Sequence, residues 1–240
     1  MKAPWPRLPA RFRRIVAAFA CTAFLASTPP AARAQQPVDL ELVLAVDCSY
    51  SVDSAEFHLQ MQGLAAAFRS PAVVAAISAN PYGAIAVTVV QWSGPDSQTV
   101  VVPWRLVRDG ASALDLSSRI AETPRSTAEG ATSISSMVQF GLYLLDSNAF
   151  DGTRRVIDVS SDGRNNSGPR MRDLRPLVAF SGVTLNGLAI LNEVATLNFY
   201  FEKYVIAGPN AFVVTANDYA AYSDAILNKI VREVGNLPTS

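Results

Sequence analysis

Asp47, Ser49 and Ser51 stand two apart in LVLAVDCSYSVDSAEF, residues 42–57, where an apolar run stops at a carboxylate and two hydroxyls follow. In an extended loop alternate side chains point the same way, so both serines can face one ion beside the aspartate. Two further oxygen donors end up in comparable places. Asp162 closes the apolar run VIDVSSDG, and Thr132 follows the glycine of EGATS. Oxygen-only donors select a hard cation, Mg²⁺ in the first place, with Mn²⁺ or Ca²⁺ as alternatives. Hydroxyl ligands are neutral, so the ion keeps most of its charge and still attracts a carboxylate from outside the chain.

These residues need elements to bring them together. VDLELVLAVD (38–47) reads as a strand, and VDSAEFHLQMQGLAAAFRSPAVVAAIS (52–78) as a helical stretch nicked at Pro71. GAIAVTVVQWS (83–93) is a near-continuous apolar run, the pattern of a strand buried on both faces. Its connection to SQTVVVPW (97–104) is too short for a parallel return, so one sheet edge is predicted to be an antiparallel hairpin. ASALDLSSRIAE is a helix, TPRSTAEGATS a polar loop, and ISSMVQFGLYLLDS a helix with Ile134, Met137, Val138, Leu142 and Leu145 along one face. TRRVIDVSSDG is a strand ending in a turn, and MRDLRPLVAFSG a helix closed by Gly182. GVTLNGLAILN is a strand, LNFYFEKYVI a short helix and AFVVTAN the last strand; DYAAYSDAILNKIVREV is the closing helix, with Asp218 in its cap region.

This alternation predicts an α/β fold: a Rossmann-like, doubly wound, mostly parallel sheet with one antiparallel edge strand and helices on both faces. Ligands of such sheets bind beyond the carboxyl ends of the strands, where the strand order reverses. Asp47, Ser49, Ser51 and Asp162 lie just past two such ends, and Thr132 lies in a loop that opens a helix.

The chain has 240 residues, half of them apolar, with 20 basic and 20 acidic side chains. That suffices for one domain of about 200 residues after removal of a targeting segment. A neutral balance gives no electrostatic reason to expect nucleic acid or an anionic membrane as partner. The N-terminus carries a basic head (Lys2, Arg7, Arg11, Arg13, Arg14), the apolar run IVAAFACTAFLAS, a Pro-Pro break and AARAQQ. This describes a secretory signal peptide over residues 1–34, cleaved after Ala34, with an apolar core too short to span a bilayer. Residues 35–240 are then a single exported domain without a membrane span, periplasmic in the first place and secreted as the alternative. The residues around Arg13-Arg14 fit twin-arginine export poorly, and Cys21 lacks the small-residue context of a lipoprotein acceptor. Cys48 is the one cysteine left, so an internal disulfide is excluded, and with the lone His58 it cannot build a structural zinc site.

The motif D-x-S-x-S (Asp47, Ser49, Ser51), the threonine after a glycine (Thr132) and the S-D-G strand end (Asp162) together resemble the von Willebrand factor type A (VWA) domain. All five positions of its metal-ion-dependent adhesion site (MIDAS) have a match, in order, and the resemblance covers about residues 38–235. The chain is also similar to a bacterial exported family of unknown function, through VDLELVLAVDCSYSVD, VVQWSGP, GATSIS, RRVIDVSSDGRNNSG and NGLAILNE. The resemblance implies that Asp47, Ser49, Ser51 and Thr132 contact the ion directly or through water, and that Asp162 holds a coordinated water. It also implies an open position that accepts Asp or Glu from a protein partner.

Each residue also has an ordinary role open to it. Asp53 or Ser51 can cap the helix that starts near Ser54, Thr132 or Ser133 the helix after them, and Asp162-Gly163 can be a turn. Their combination on one predicted rim favours the ion. Asn165, Asn166, Asn192 and Glu193 fall on the same rim, either tuning ion or partner or serving as turn residues. Cys48 stands where the motif more usually has a small or apolar residue, and reads as a buried side chain. Asp158, inside a strand, has no basic partner that the sequence names. Among other function classes, a hydrolase with an ion-activated water lacks a second carboxylate cluster, a partner for His58 and a G-x-S-x-G elbow. Phosphate-binding glycine motifs are absent too. A scaffold with a vestigial site is the third class. The favoured reading is a metal-dependent protein-binding module of the bacterial envelope.

Overall fold

Strand β1 (Gln36–Asp47) is buried from Val38 to its end. The computed structural model describes residues 35–235, so the expected signal peptide, residues 1–34, lies outside the described residues. β1 alternates between two cores: Leu40, Leu42, Leu44 and Val46 face one, Val43 and Ala45 the other. The remaining strands are β2 (Ile85–Trp92), β3 (Gln98–Val107), β4 (Phe150–Ser161), β5 (Thr184–Ile190) and β6 (Val213–Ala216). They form one sheet in the order β3-β2-β1-β4-β5-β6. The β2–β3 pair is antiparallel, as the short connection requires, and all others are parallel. The chain runs outward from β1 to β3 and then returns to β4 on the opposite side. The strand order therefore reverses between β1 and β4, and a crevice opens at their carboxyl ends.

The first core packs α1 (Ser54–Arg69), α2 (Pro71–Ser78), α3 (Gly110–Glu122) and α7 (Tyr222–Val234) on one sheet face; the second packs α4 (Ile134–Asp146), α5 (Met171–Phe180) and α6 (Leu197–Tyr200) on the other. Local chemistry sets these boundaries. Asp53 and Glu56 form a reciprocal capping box at the start of α1, of a kind whose loss costs about 1 kcal/mol. Pro71 ends the first helical stretch and opens the next, with the Ser70 hydroxyl accepting from the Ala72 N–H at 3.3 Å. Asp218 accepts from the Ala221 N–H at 2.9 Å, shaping the turn before α7 rather than its first residue.

Three details differ from the expected pattern. In α4, Gly141 takes the innermost position over the sheet, with Leu142 packed at the edge of the same core. A methyl group on Gly141 would come within 2.8 Å of Ile157 Cδ1, and Leu142 is only half-buried. The short helix at 197–206 passes from α6 into a π-helical turn over Phe201–Val205. Strand β3 continues past Pro103 to Val107; it is an edge strand, where the missing N–H of proline costs no ladder bond.

Asp158 does have a basic partner. Lys229, on the buried face of α7, places Nζ 2.6 Å from Asp158 Oδ1 and 2.6 Å from Glu233 Oε1, and both its ion pairs are excluded from water. Asn186 on β5 donates to the same Glu233 oxygen at 2.9 Å. Among the described residues no helix is long and apolar enough to cross a membrane.

Candidate functional site

Asp47 ends β1 with its carboxylate wholly buried. One carboxylate oxygen accepts from the Ser49 N–H at 2.7 Å, and the other accepts from the Ser161 hydroxyl at the end of β4. The Ser49 and Ser51 hydroxyls are 3.2 Å apart. Ser51 donates to Asp162 Oδ1 at 2.7 Å, and the Tyr219 hydroxyl donates to Asp162 Oδ2 at 3.0 Å. Asp47, Ser49, Ser51 and Asp162 thus form one connected cluster across the carboxyl ends of β1 and β4. Thr132 stands beside it: its Oγ1 is 3.2 Å from where a Cβ on Gly163 would be, and it lines the same surface depression as Ser51 and Asp162.

Other residues take over the ordinary roles. Asp53 accepts from the N–H groups of Ala55 and Glu56 at 2.7 and 2.8 Å, so Ser51 is not needed as the cap of α1. Ser133 occupies the N-cap of α4 without a side-chain capping bond. Asn166 and Asn165 satisfy that helix end from across the crevice, accepting from the Thr132 and Ser135 N–H groups, each at 2.9 Å. Gly168, at φ 75°, lets their loop close onto α4, since a side chain there would collide with the Ser133 hydroxyl. Asn192 donates to Glu56 at 3.1 Å and to Glu193 at 3.3 Å, and Glu193 lines the depression. Cys48 is fully buried, and burial pushes its thiol up to about 12, so it stays protonated and inert. His58 is exposed on α1.

The sequence did not single out Arg125, which reaches under the serine loop. Its guanidinium donates to the carbonyls of Val52 and Cys48 at 2.8 Å each and of Ser49 at 3.3 Å. Arg125→Ala should remove the guanidinium from three carbonyls, of which that of Ser49 keeps the Val52 N–H, and weaken the loop by about 2 kcal/mol, the scale of a charged hydrogen bond. Hydrogen exchange checks this: the Tyr50 and Val52 amides, bonded to the Gly130 and Ser49 carbonyls, should exchange faster while β1 and β4 stay protected.

Electrostatically the cluster is incomplete. Among the described residues neither Asp47 nor Asp162 has a Lys, Arg or His ion-pair partner. Burial pushes the Asp47 carboxyl up to about 7, and the Asp162 charge adds to the rise. Two buried carboxylates facing only hydroxyls and one backbone N–H, with no positive charge, are unfavourable until a cation offsets them. No cluster of three or more His, Cys, Asp or Glu is present among the described residues. A cation here would therefore depend on hydroxyl oxygens as well as on Asp47 and Asp162, a donor set that fits Mg²⁺-type chemistry.

The sheet order with its single antiparallel edge and flanking helices is the VWA-like, Rossmann-type fold. Within that class the chain belongs to the family described as protein of unknown function DUF1194, whose model matches residues 37–238. No functionally curated protein matches it in sequence. Three solved structures illustrate the fold. The pilus adhesin SpaC of Lactobacillus rhamnosus GG, in its open conformation, is 14% identical, with TM-score 0.57 over 83% of this chain and 30% of its own. Proximal thread matrix protein 1 from the mussel byssus, with a zinc-occupied MIDAS motif, is 16% identical, with TM-score 0.55 over 84% and 49%. A von Willebrand factor type A protein of Catenulispora acidiphila is 17% identical, with TM-score 0.54 over 82% and 43%. At these identities the likeness is one of fold, and this chain spans about half or less of each relative's length.

Proposed function

We propose that this protein is a metal-dependent protein-binding module of the bacterial envelope. Asp47, Ser49, Ser51, Thr132 and Asp162 would hold a Mg²⁺-type ion, which recognises an acidic side chain of a partner. The observation that carries this reading is the gathering of three hydroxyls, those of Ser49, Ser51 and Thr132, beside the two buried, uncompensated carboxylates of Asp47 and Asp162. Ser51 spends its hydroxyl hydrogen on Asp162 and accepts from the Ser49 hydroxyl, so one lone pair remains for an ion. Asp47 supplies the charge, and its bonds to Ser49 and Ser161 fix its orientation. When bound, the ion supplies a partly uncompensated positive charge at the surface, to which an outside carboxylate can coordinate. The zinc-occupied MIDAS motif of the mussel protein and the adhesin role of SpaC support the analogy. Export to the periplasm follows from reading residues 1–34 as a signal peptide.

Calorimetric titration of the full chain with Mg²⁺ and Mn²⁺, repeated in excess acetate as a stand-in for the partner's carboxylate, tests the reading. Saturable binding of one ion per chain is expected. Flat traces for both ions, with and without acetate, would overturn it.

A further inference from the structure

Next to the depression that holds Ser51, Thr132 and Asp162 lies a second groove, lined by Asn165, Arg170, Met171, Arg172, Tyr200 and Tyr204. Arg164 joins the two. It lines the first depression, and its guanidinium lies 5.7 Å from the centre of the Tyr200 ring in the second. The rings of Tyr200 and Tyr204, one helical turn apart, are 5.4 Å from each other, and Phe199 beside them is 63% exposed.

The charges of this surface are unbalanced. Arg164 bonds the Thr196 hydroxyl at 3.1 Å and has no ion-pair partner among the described residues. Arg170 and Arg172 share the single carboxylate of Asp173, at 3.0 and 3.7 Å, and both are more than half exposed. In the second groove two guanidinium groups therefore share one carboxylate, and Arg164 at its junction with the first depression, where Asp162 and Glu193 lie, is engaged in no ion pair among the described residues. Guanidinium forks match carboxylates, and tyrosine faces backed by a methionine accept apolar side chains at little entropic cost. Arginine and tyrosine in a recess are also the residue types that dominate binding energy at protein interfaces.

We infer that this groove is the specificity half of the binding surface. It takes an acidic segment of a partner protein in which the ion-binding Asp or Glu is accompanied by a second acidic residue and an aromatic or aliphatic side chain. The inference rests on the proposed metal reading, which supplies the first acidic contact. Charge complementarity to the arginines selects the second acid, and the Tyr200–Tyr204 wall, backed by the buried Met171, selects the apolar residue. A polyanion without apolar groups leaves that wall unused.

The test is selection of random peptides by phage display on the immobilised full chain, in Mg²⁺ and in EDTA, for the native protein and an Arg170→Gln/Arg172→Gln variant, whose two changes lie in the second groove and outside the ion-site depression. Both arginines are exposed, and an unchanged melting temperature confirms that the variant is folded. The native protein in Mg²⁺ should enrich peptides with two acids and an aromatic or aliphatic residue. The variant should bind those peptides roughly tenfold more weakly, the size of one charged hydrogen bond, with Mg²⁺ affinity unchanged. Mg²⁺-dependent peptides carrying a single acid and no apolar preference would overturn the groove and keep the metal site. Two-acid peptides selected equally in EDTA and weakened in the variant would support the groove and overturn the metal reading. Enrichment of no acidic peptide, or retention of polygalacturonate instead, would overturn the assignment of a protein partner.

Discussion

Asp47→Asn is expected to weaken divalent-ion binding severely without lowering the stability of the ion-free protein. The amide keeps the shape of the side chain and both of its bonds: Oδ1 still accepts from the Ser49 N–H, and Nδ2 can donate to the Ser161 hydroxyl, which has the Gly163 carbonyl within 3.3 Å as an alternative acceptor. What disappears is the charge. In the ion-free protein that charge is a burden, since burial and the neighbouring Asp162 already push Asp47 up to about 7. Toward an ion it is the main attraction, and losing it should weaken binding by roughly 100-fold, or about 3 kcal/mol. Asp47→Ala is the less clean change, because it strands a buried N–H and a buried hydroxyl at a cost of about 1–3 kcal/mol. Mn²⁺ titration beside thermal melts in EDTA reads both effects. A melt of the Asn variant well below that of the native protein would make Asp47 a structural carboxylate and sink the metal reading.

What the sequence made legible follows from the range over which sequence patterns act. The strand ends at Asp47 and Asp162 were legible because an apolar run stopping at a carboxylate is a local event. The antiparallel edge was legible because a connection as short as GPD admits no crossover. The choice between Asp53 and Ser51 as cap of α1 lay within one turn of helix but needed the capping box with Glu56 to decide it. Illegible were the pairings that span the fold. Arg125 reaches carbonyls 73 to 77 positions away, and Asn165 and Asn166 reach the N-terminus of α4 from 30 to 34 positions beyond it. No periodicity encodes such contacts. Gly141 was overlooked because hydrophobicity alone ranks Leu142 above it, whereas helix and sheet approach too closely at 141 for a side chain, and Leu142 packs at the edge of the same core. For Lys229 and Glu233 a signal did exist: two charges four apart on the otherwise apolar face of the last helix, the spacing of an ion pair.

That pair leads to the largest expected change in stability. Lys229→Met keeps the length and apolar stem of the side chain but removes the one cation between Asp158 and Glu233, each of which lies within 2.6 Å of its Nζ. Two carboxylates are then buried together, and breaking a buried ion pair in this way costs about 3–5 kcal/mol. The loss should depend on pH in a definite direction. Burial, and after it the charge of Glu233, raises the Asp158 carboxyl, while Lys229 opposes the rise. An acid whose folded value lies above its unfolded value makes the folded state bind the extra proton, so stability falls as pH rises from one value to the other. Without Lys229 the folded value climbs further, and the fall becomes larger and extends to higher pH. The variant should therefore lose much more stability at about pH 8 than at about pH 5 in urea unfolding, where protonation relieves the pair. Adding Asp158→Asn and Glu233→Gln to Lys229→Met should recover most of the alkaline loss. A penalty equal at both pH values and untouched by the added changes would assign Lys229 a packing role, with its ammonium group contributing nothing to the hold of α7 on the sheet.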